Sequence, residues 1–187
     1  MDLEEILARA PLFRGAGPAE LKSALSVARR RRVERGEYFF HQGDAAEAFY
    51  VIAEGRVRLS QLTPEGHQVI IGFMGPGDGM GIIVALSNAS YPLSAEAVAD
   101  CQALKWDYEA TIGLLKQYPH LALNGLRLVS GRFFELQERY RELATARVER
   151  RIASALIRLT RQTGKRTERG VLLDLPLSRQ DLAEMTG

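Results

Sequence analysis

The sequence predicts an α+β protein: a β-roll bracketed by helices, a long self-pairing helix, and the opening of a helix-turn-helix. Three observations predict it. Residues 31–105 break into short alternating or apolar runs separated by turn residues. A single apolar seam with a 3.5-residue period follows, from Ala122 to Leu143. A basic last quarter then ends on LSRQDLAEMTG.

Taken in chain order, residues 3–9 and 18–28 have helical spacing on either side of PLFRGAGP. The run Arg29–Arg32 reads as a solvated stretch where the second helix gives way to the first strand. Gly36, Gly43, Gly55, Gly66, Gly75 and Gly77 fall between the runs that follow, at the rhythm of a small barrel or sandwich. AEGR fits a tight hairpin and TPEGH a longer turn with proline early and glycine late. Cys101 is expected to be a buried strand residue.

The period then changes. Ala122, Leu126, Val129, Phe133, Leu136, Tyr140 and Leu143 are spaced 4, 3, 4, 3, 4, 3. The positions between them hold Arg127, Arg132, Glu135, Glu138, Arg139, Arg141 and Glu142. Such a stripe packs either on its own barrel or on a copy of itself. The strict period over three heptads favours a parallel homodimer through Leu126, Val129, Phe133, Leu136, Tyr140 and Leu143. After a break near Ala144–Ala146, Val148, Ile152, Ala155, Leu156 and Leu159 mark another amphipathic helix, with Gly164 as its stop. KRTERG reads as a polar turn and VLLDLPL as a short apolar run ended by Pro176. Ser178 is a good N-cap, and Asp181 makes a shortened capping box with it. Leu182 and Ala183 are expected to face the core, and Thr186–Gly187 to supply the turn of a helix-turn-helix.

Composition bounds the function. The chain has 187 residues, 46% of them hydrophobic and 26% charged, enough for a real core and a hydrated surface. No apolar run approaches the roughly 20 residues that span a bilayer, so no membrane partner is expected. MDLEEILARAP is acidic and amphipathic, unlike a signal peptide. One cysteine excludes an internal disulfide and any four-cysteine zinc or iron–sulfur site, and the expected location is the cytoplasm. The net charge of +2 is uneven: residues 1–143 carry 16 basic and 18 acidic side chains, residues 144–187 carry 9 and 5. A basic last quarter suits a polyanionic partner. No Walker loop, no histidine pair at metal spacing and no GxSxG occurs, so an enzyme is not expected.

PLFRG, VERGEYFFHQGDAAEAFYVIAEGRVRL, TPEGHQ, GPGD, RVERRIASALIRL and LPLSRQDLAEMTG together resemble the Crp/Fnr superfamily of bacterial transcription regulators, over essentially the whole chain. The resemblance implies a jelly-roll (double-stranded β-helix) sensor over residues 1–117. It implies a long dimerisation helix and hinge over 118–146, the hinge near Ala144–Arg147, and the first part of a winged helix-turn-helix over 147–187. It implies duplex DNA and RNA polymerase as partners. Ser178, Arg179 and Gln180 match positions that touch or adjoin DNA phosphates, which give register rather than sequence reading. By the same resemblance, the recognition helix and the wing should come after Gly187.

In family members that bind cyclic AMP, a glycine–glutamate pair and an arginine–serine pair hold ribose and phosphate, and a threonine–serine pair on the long helix meets the purine. Here the matching positions are Gly81–Ile82, Leu93–Ser94 and Leu136–Gln137. Burying a cyclic phosphate without its arginine costs several kcal/mol, so cyclic AMP is rejected as the effector. The sequence looks nearest to the Dnr-type, nitric-oxide-responsive subgroup, for which the resemblance implies haem in an apolar cleft between roll and long helix. Among His41, His67 and His120, the best placed ligand is His120, at the start of the long helix, whereas His41 and His67 read as turn residues. A pocket filled by its own side chains is the plain alternative. The rival from another class is a cyclic-nucleotide-binding regulatory module that does not bind DNA; Leu93 and the terminal motif count against it.

Overall fold

The computed structural model describes residues 2–82, 89–173, 175 and 177–186. Two short helices come first. Helix α1 (Leu3–Arg9) is capped by the Asp2 carboxylate, which accepts from the Glu4 amide at 3.0 Å. After a 3₁₀ turn at Pro11–Phe13, α2 (Pro18–Ser26) opens on a proline, with Glu20 accepting from the Gly17 amide at 2.7 Å.

Eight strands follow: β1 (Arg29–Val33), β2 (Tyr38–Phe40), β3 (Ala48–Glu54), β4 (Val57–Leu62), β5 (Gln68–Met74), β6 (Gly79–Met80), β7 (Ser94–Ala97) and β8 (Cys101–Asp107). They form two four-stranded antiparallel sheets, ordered β1-β8-β3-β6 and β2-β7-β4-β5. The four arginines of β1 lie exposed on an edge strand. The TPEGH turn joins β4 to β5 as expected, with Gly66 at φ +86°. The tight hairpin expected at AEGR is corrected: β3 and β4 belong to different sheets, so Gly55 turns a corner between layers. It sits at φ +88°, and a Cβ there would meet the Asp100 carbonyl at 2.3 Å. Glycine answers both constraints at once.

Between the sheets lies one apolar cluster that includes Val33, Phe40, Tyr50, Ile52, Leu59 and Cys101. A second one packs α1, the 3₁₀ turn and α2 against the outer face of β3 and β8 through Leu7, Phe13, Phe49 and Trp106. Trp106, 1% exposed, donates its indole N–H to the Ala24 carbonyl at 2.9 Å, so its polar edge is satisfied inside the cluster.

Helix α3 (Tyr108–Gln117), capped by Asp107, has no counterpart in the sequence reading. The long helix α4 (Pro119–Thr145) follows it directly. Its first turns are fixed to the 3₁₀ turn: Asn124, buried, donates to the carbonyls of Leu12 and Arg14 at 3.0 and 2.8 Å. Ala146 and Arg147 are extended, and this break separates α4 from α5 (Val148–Thr163).

Gly164 ends α5 where expected, but at φ −71° rather than in the left-handed region. What selects glycine is crowding, since a Cβ would stand 2.3 Å from the Thr160 carbonyl and 2.4 Å from Val171. KRTERG is corrected from a polar turn to most of a hairpin, β9 (Gly164–Thr167) with β10 (Gly170–Leu173). The backbone hydrogen bonds of that hairpin outweigh the polar composition that suggested a loop. The last element is α6 (Arg179–Thr186). Its capping box forms: the Ser178 amide donates to Asp181 at 2.6 Å, and the Asp181 amide to the Ser178 hydroxyl at 3.0 Å. The expected core face is corrected. Asp181 and Thr186 are buried, Leu182 is half-buried and Ala183 is exposed, because the helix is rotated toward β5 of the roll. Thr186 belongs to the helix itself and donates to the Leu182 carbonyl. Pro176 and Gly187 lie outside the described residues.

Candidate functional site

The roll and α4 enclose a cleft with two compartments. The inner one, about 100 Å³, is lined by Phe40, Leu59, Gly79–Ile82, Tyr91, Pro92 and Leu93, with Arg132 of α4 at its rim. Gly81 is at φ +86°, and a Cβ there would lie 2.6 Å from the Ala48 carbonyl. That close approach holds the end of β6 against the start of β3. Tyr91 closes one side. Its ring stacks on Phe40 at 3.7 Å and its hydroxyl donates to the Ala48 carbonyl at 2.7 Å. Burial pushes that hydroxyl up to about 12, so it stays a neutral donor at every ordinary pH.

The outer compartment, about 630 Å³, runs between β5 and α4. Its charged lining is Arg127, Arg132, Arg139 and Arg161 against Asp78 and Glu135. Arg132 borders both compartments. Burial pulls the Arg139 guanidinium below its ordinary range and Arg158 nearby adds to it. Burial likewise pushes the Asp78 carboxyl up. The outer space is thus cationic and partly desolvated.

Of the residues expected here, Gly81, Ile82 and Leu93 meet in the inner compartment, and Leu136 borders the outer one. Ser94 does not join them; its hydroxyl accepts from the Gln42 amide at 2.9 Å. Gln137 is exposed and borders neither space. Residues 83–88, between Ile82 and Leu93, lie outside the described residues. Sequence reasoning missed Phe40, Tyr91 and the arginines. The arginines were legible as a second stripe, Leu128, Arg132, Glu135 and Arg139, one position before the seam and with the same spacing. This stripe is the one that faces the roll.

The cleft does not fit a histidine-ligated haem. His120 lies away from both compartments, with its Nε2 3.7 Å from a Glu20 carboxylate oxygen. His41 and His67 are exposed turn residues. Among the described residues no group of three or more metal-ligating side chains occurs.

The seam itself is bare. Leu126, Phe133, Leu136, Tyr140 and Leu143 are 53–75% exposed, and only Val129 is half-buried. At the far end, Ser178, Arg179 and Gln180 are exposed around the N-terminus of α6. The rest of that terminal unit rests on the roll. Ile70 and Phe73 of β5 share an apolar cluster with Leu159, Leu173 and Met185. Arg58 of β4 bridges Glu96 at 2.6 Å and Asp181 at 3.2 Å. Burial opposes the Arg58 charge, but the two carboxylates outweigh it and raise its pKa. Burial also works against the Asp181 charge, and the Ser178 hydrogen bonds and Arg58 overcome it, holding the carboxyl below its ordinary value.

Two antiparallel sheets closed into a roll, a long helix and a C-terminal helical unit are an arrangement found in a known class of sensor proteins. Residues 30–118 match the cyclic nucleotide-binding domain family. The chain is 34% identical over 152 residues to the cyclic AMP receptor protein of Thermus thermophilus, covering 81% of this chain and 70% of that one. The crystal structure of the Thermus thermophilus catabolite activator protein is similar at a TM-score of 0.69 and 33% identity, over 82% of this chain and 72% of that one. The sensor domain of the transcriptional regulator DNR from Pseudomonas aeruginosa is similar at a TM-score of 0.62 and 28% identity, over 77% and 95%. The chain belongs to the Crp/Fnr superfamily of bacterial transcription regulators. The relatives named here are regulators rather than enzymes. Among the described residues no helix is long and apolar enough to cross a membrane.

Proposed function

We propose that the chain is a homodimeric, DNA-binding regulator of transcription whose effector, other than cyclic AMP, binds between the roll and α4. In this reading residues 1–117 sense, 118–146 pair the subunits and form the hinge, and 147–187 belong to the DNA-binding unit. The observation that carries it is the division of labour on α4. One stripe, Leu128 to Arg139, lines the cleft, while the adjacent seam, from which Leu136 also borders that space, presents large apolar side chains to solvent. Five such side chains along one seam leave a surface that a copy of the same helix covers by knobs-into-holes packing.

Cyclic AMP appears in the name of the Thermus relative. In this chain the positions that would hold ribose and phosphate carry Ile82 and Leu93, which line an apolar compartment. An anion pressed against Ile82 and Leu93 would lose hydration, with Arg132 at the rim as its nearest cation in the lining. Arg179 and Gln180, exposed at a helix N-terminus, support contact with DNA phosphates, where backbone amides and the helix dipole add to the side chains. RNA polymerase is the partner through which such a regulator acts on a promoter.

Sedimentation equilibrium tests the pairing. The chain, 20.8 kDa, should sediment at twice that mass at micromolar concentration. Leu126→Glu should return it to the monomer, since two buried leucines per dimer are worth about 3–6 kcal/mol. A wild-type monomer, or a dimer indifferent to Leu126→Glu, refutes the seam as the interface.

A further inference from the structure

We propose that the cleft takes an amphipathic organic anion: an apolar body in the inner compartment and a carboxylate-type head on Arg132 at the rim. The proposal rests on reading the cleft as the effector site and names the chemistry of what enters it.

Three guanidiniums of α4 line the outer compartment, and each rests on a neutral oxygen. Arg127 donates to the Asn124 side-chain carbonyl at 3.2 Å, Arg132 to the Gly79 carbonyl at 3.2 Å, and Arg139 to the Ile71 carbonyl at 2.6 Å. Among the described residues none of the three lies within 4.0 Å of a carboxylate, whereas Arg58, Arg141 and Arg158 each do. The Arg139 Nε is also enclosed without a hydrogen-bond partner. Asp78 and Glu135 face the same space, but Asp78 is engaged by the Gly75 amide at 2.8 Å, and four arginines border the groove with them. The groove therefore holds an excess of two positive charges, and three of its four arginines are turned toward neutral acceptors.

An anionic head exchanges these bonds for charge-assisted ones, which are roughly twice as strong. Arg132 can make the exchange at low cost. It is exposed, and β6, whose half-buried Gly79 carries the carbonyl it would release, is the last strand of its sheet. The polarity of the space also sets the ligand's direction. The barrel end is apolar at Ile82, Leu93 and Phe40, and the helix end is cationic at Arg132. This orientation puts charge where a cyclic nucleotide bound in the family manner would put its base, and grease where that ligand would put its phosphate.

Calorimetric titration of the whole chain with matched acid and amide pairs tests this, using octanoate against octanamide and phenylacetate against phenylacetamide, with cyclic AMP as a further arm. At least one acid should bind roughly tenfold or more tightly than its amide. Arg132→Gln should erase the difference, and Arg141→Gln should leave it intact. Filling the inner compartment with Leu93→Trp should abolish binding of acid and amide alike. Amides binding as well as the acids, with Leu93→Trp still abolishing both, overturn the anion while the effector cleft stands. No binding by any of the probes, or binding indifferent to Leu93→Trp, overturns both. Cyclic AMP bound more tightly than every acid overturns the reversed polarity.

Discussion

Tyr91 does two jobs in the cleft wall. Its ring covers Phe40, and its hydroxyl both donates to the Ala48 carbonyl and accepts from the Ala48 amide at 3.3 Å. Tyr91→Phe keeps the stack and removes the bonds, so it should cost about 1–3 kcal/mol, read as a lower urea midpoint at unchanged slope. Gly81 is less forgiving. Any side chain there faces both a positive φ and the Ala48 carbonyl at 2.6 Å. Gly81→Ala should cost about 2 kcal/mol or more and should distort the inner compartment. A Gly81→Ala protein as stable as wild type in the same unfolding experiment would show that β3 gives way easily there. Arg132 and Leu93 show why residue identity alone misleads. Leu93 makes its end of the space apolar, while Arg132, far along the chain on α4, supplies charge at the other end of the same space.

Among the elements, α4 and α6 are each governed by which neighbour they meet. α4 is tied down by Asn124 at its start and by the Arg139 bond to β5 further along, and its seam is left over. α6 is short and depends on its cap. Ser178 and Asp181 satisfy each other's amides, and Asp181 also reaches Arg58. Because the folded pKa of Asp181 lies below its unfolded value, its contribution is fully present above the unfolded pKa of about 4. It is lost as pH falls below that value and through the folded pKa. Amide exchange in α6, taken relative to the intrinsic rate at each pH, should therefore accelerate on acidification below about pH 4. Asp181→Asn should remove most of that acceleration while weakening the helix at neutral pH. Exchange with the same acid dependence in both proteins would show that other carboxylates govern the helix.

On the scale of the whole molecule, the terminal unit is held to the roll by a mixed contact. The apolar part is Ile70, Phe73 and Leu159; the polar part is the Arg58 bridge and the bond from Arg56 to the Thr163 carbonyl at 3.3 Å. A third tie crosses the break after α4, from Arg158 to Glu142 at 2.7 Å. Arg58→Ala leaves Asp181 and Glu96 without their cation. It should loosen the terminal unit, seen as faster amide exchange in β5 and α6, while the strands β3 and β8 keep their protection. Uniform protection in the variant would mean that the apolar cluster alone holds the contact.

The heptad seam, the strand rhythm, the capping box of Ser178 with Asp181 and the helix break near Ala146 were all legible in the sequence, because each depends on residues near one another in the chain. The family resemblance on PLFRG, GPGD and the terminal motif was legible for the same reason. Other features depend on packing between distant segments and were decided only in three dimensions. The corner at Gly55 follows from Asp100 lying behind it, the glycine at 164 from Val171 across the hairpin, and the rotation of α6 from its seat on β5. The cleft belongs to this second group. Periodicity set Arg132 and Arg139 beside the seam, but only closure of the roll against α4 placed them, with neutral acceptors, at the mouth of an apolar space. Local patterns specify elements; burial and charge between elements, which no single segment contains, specify the site.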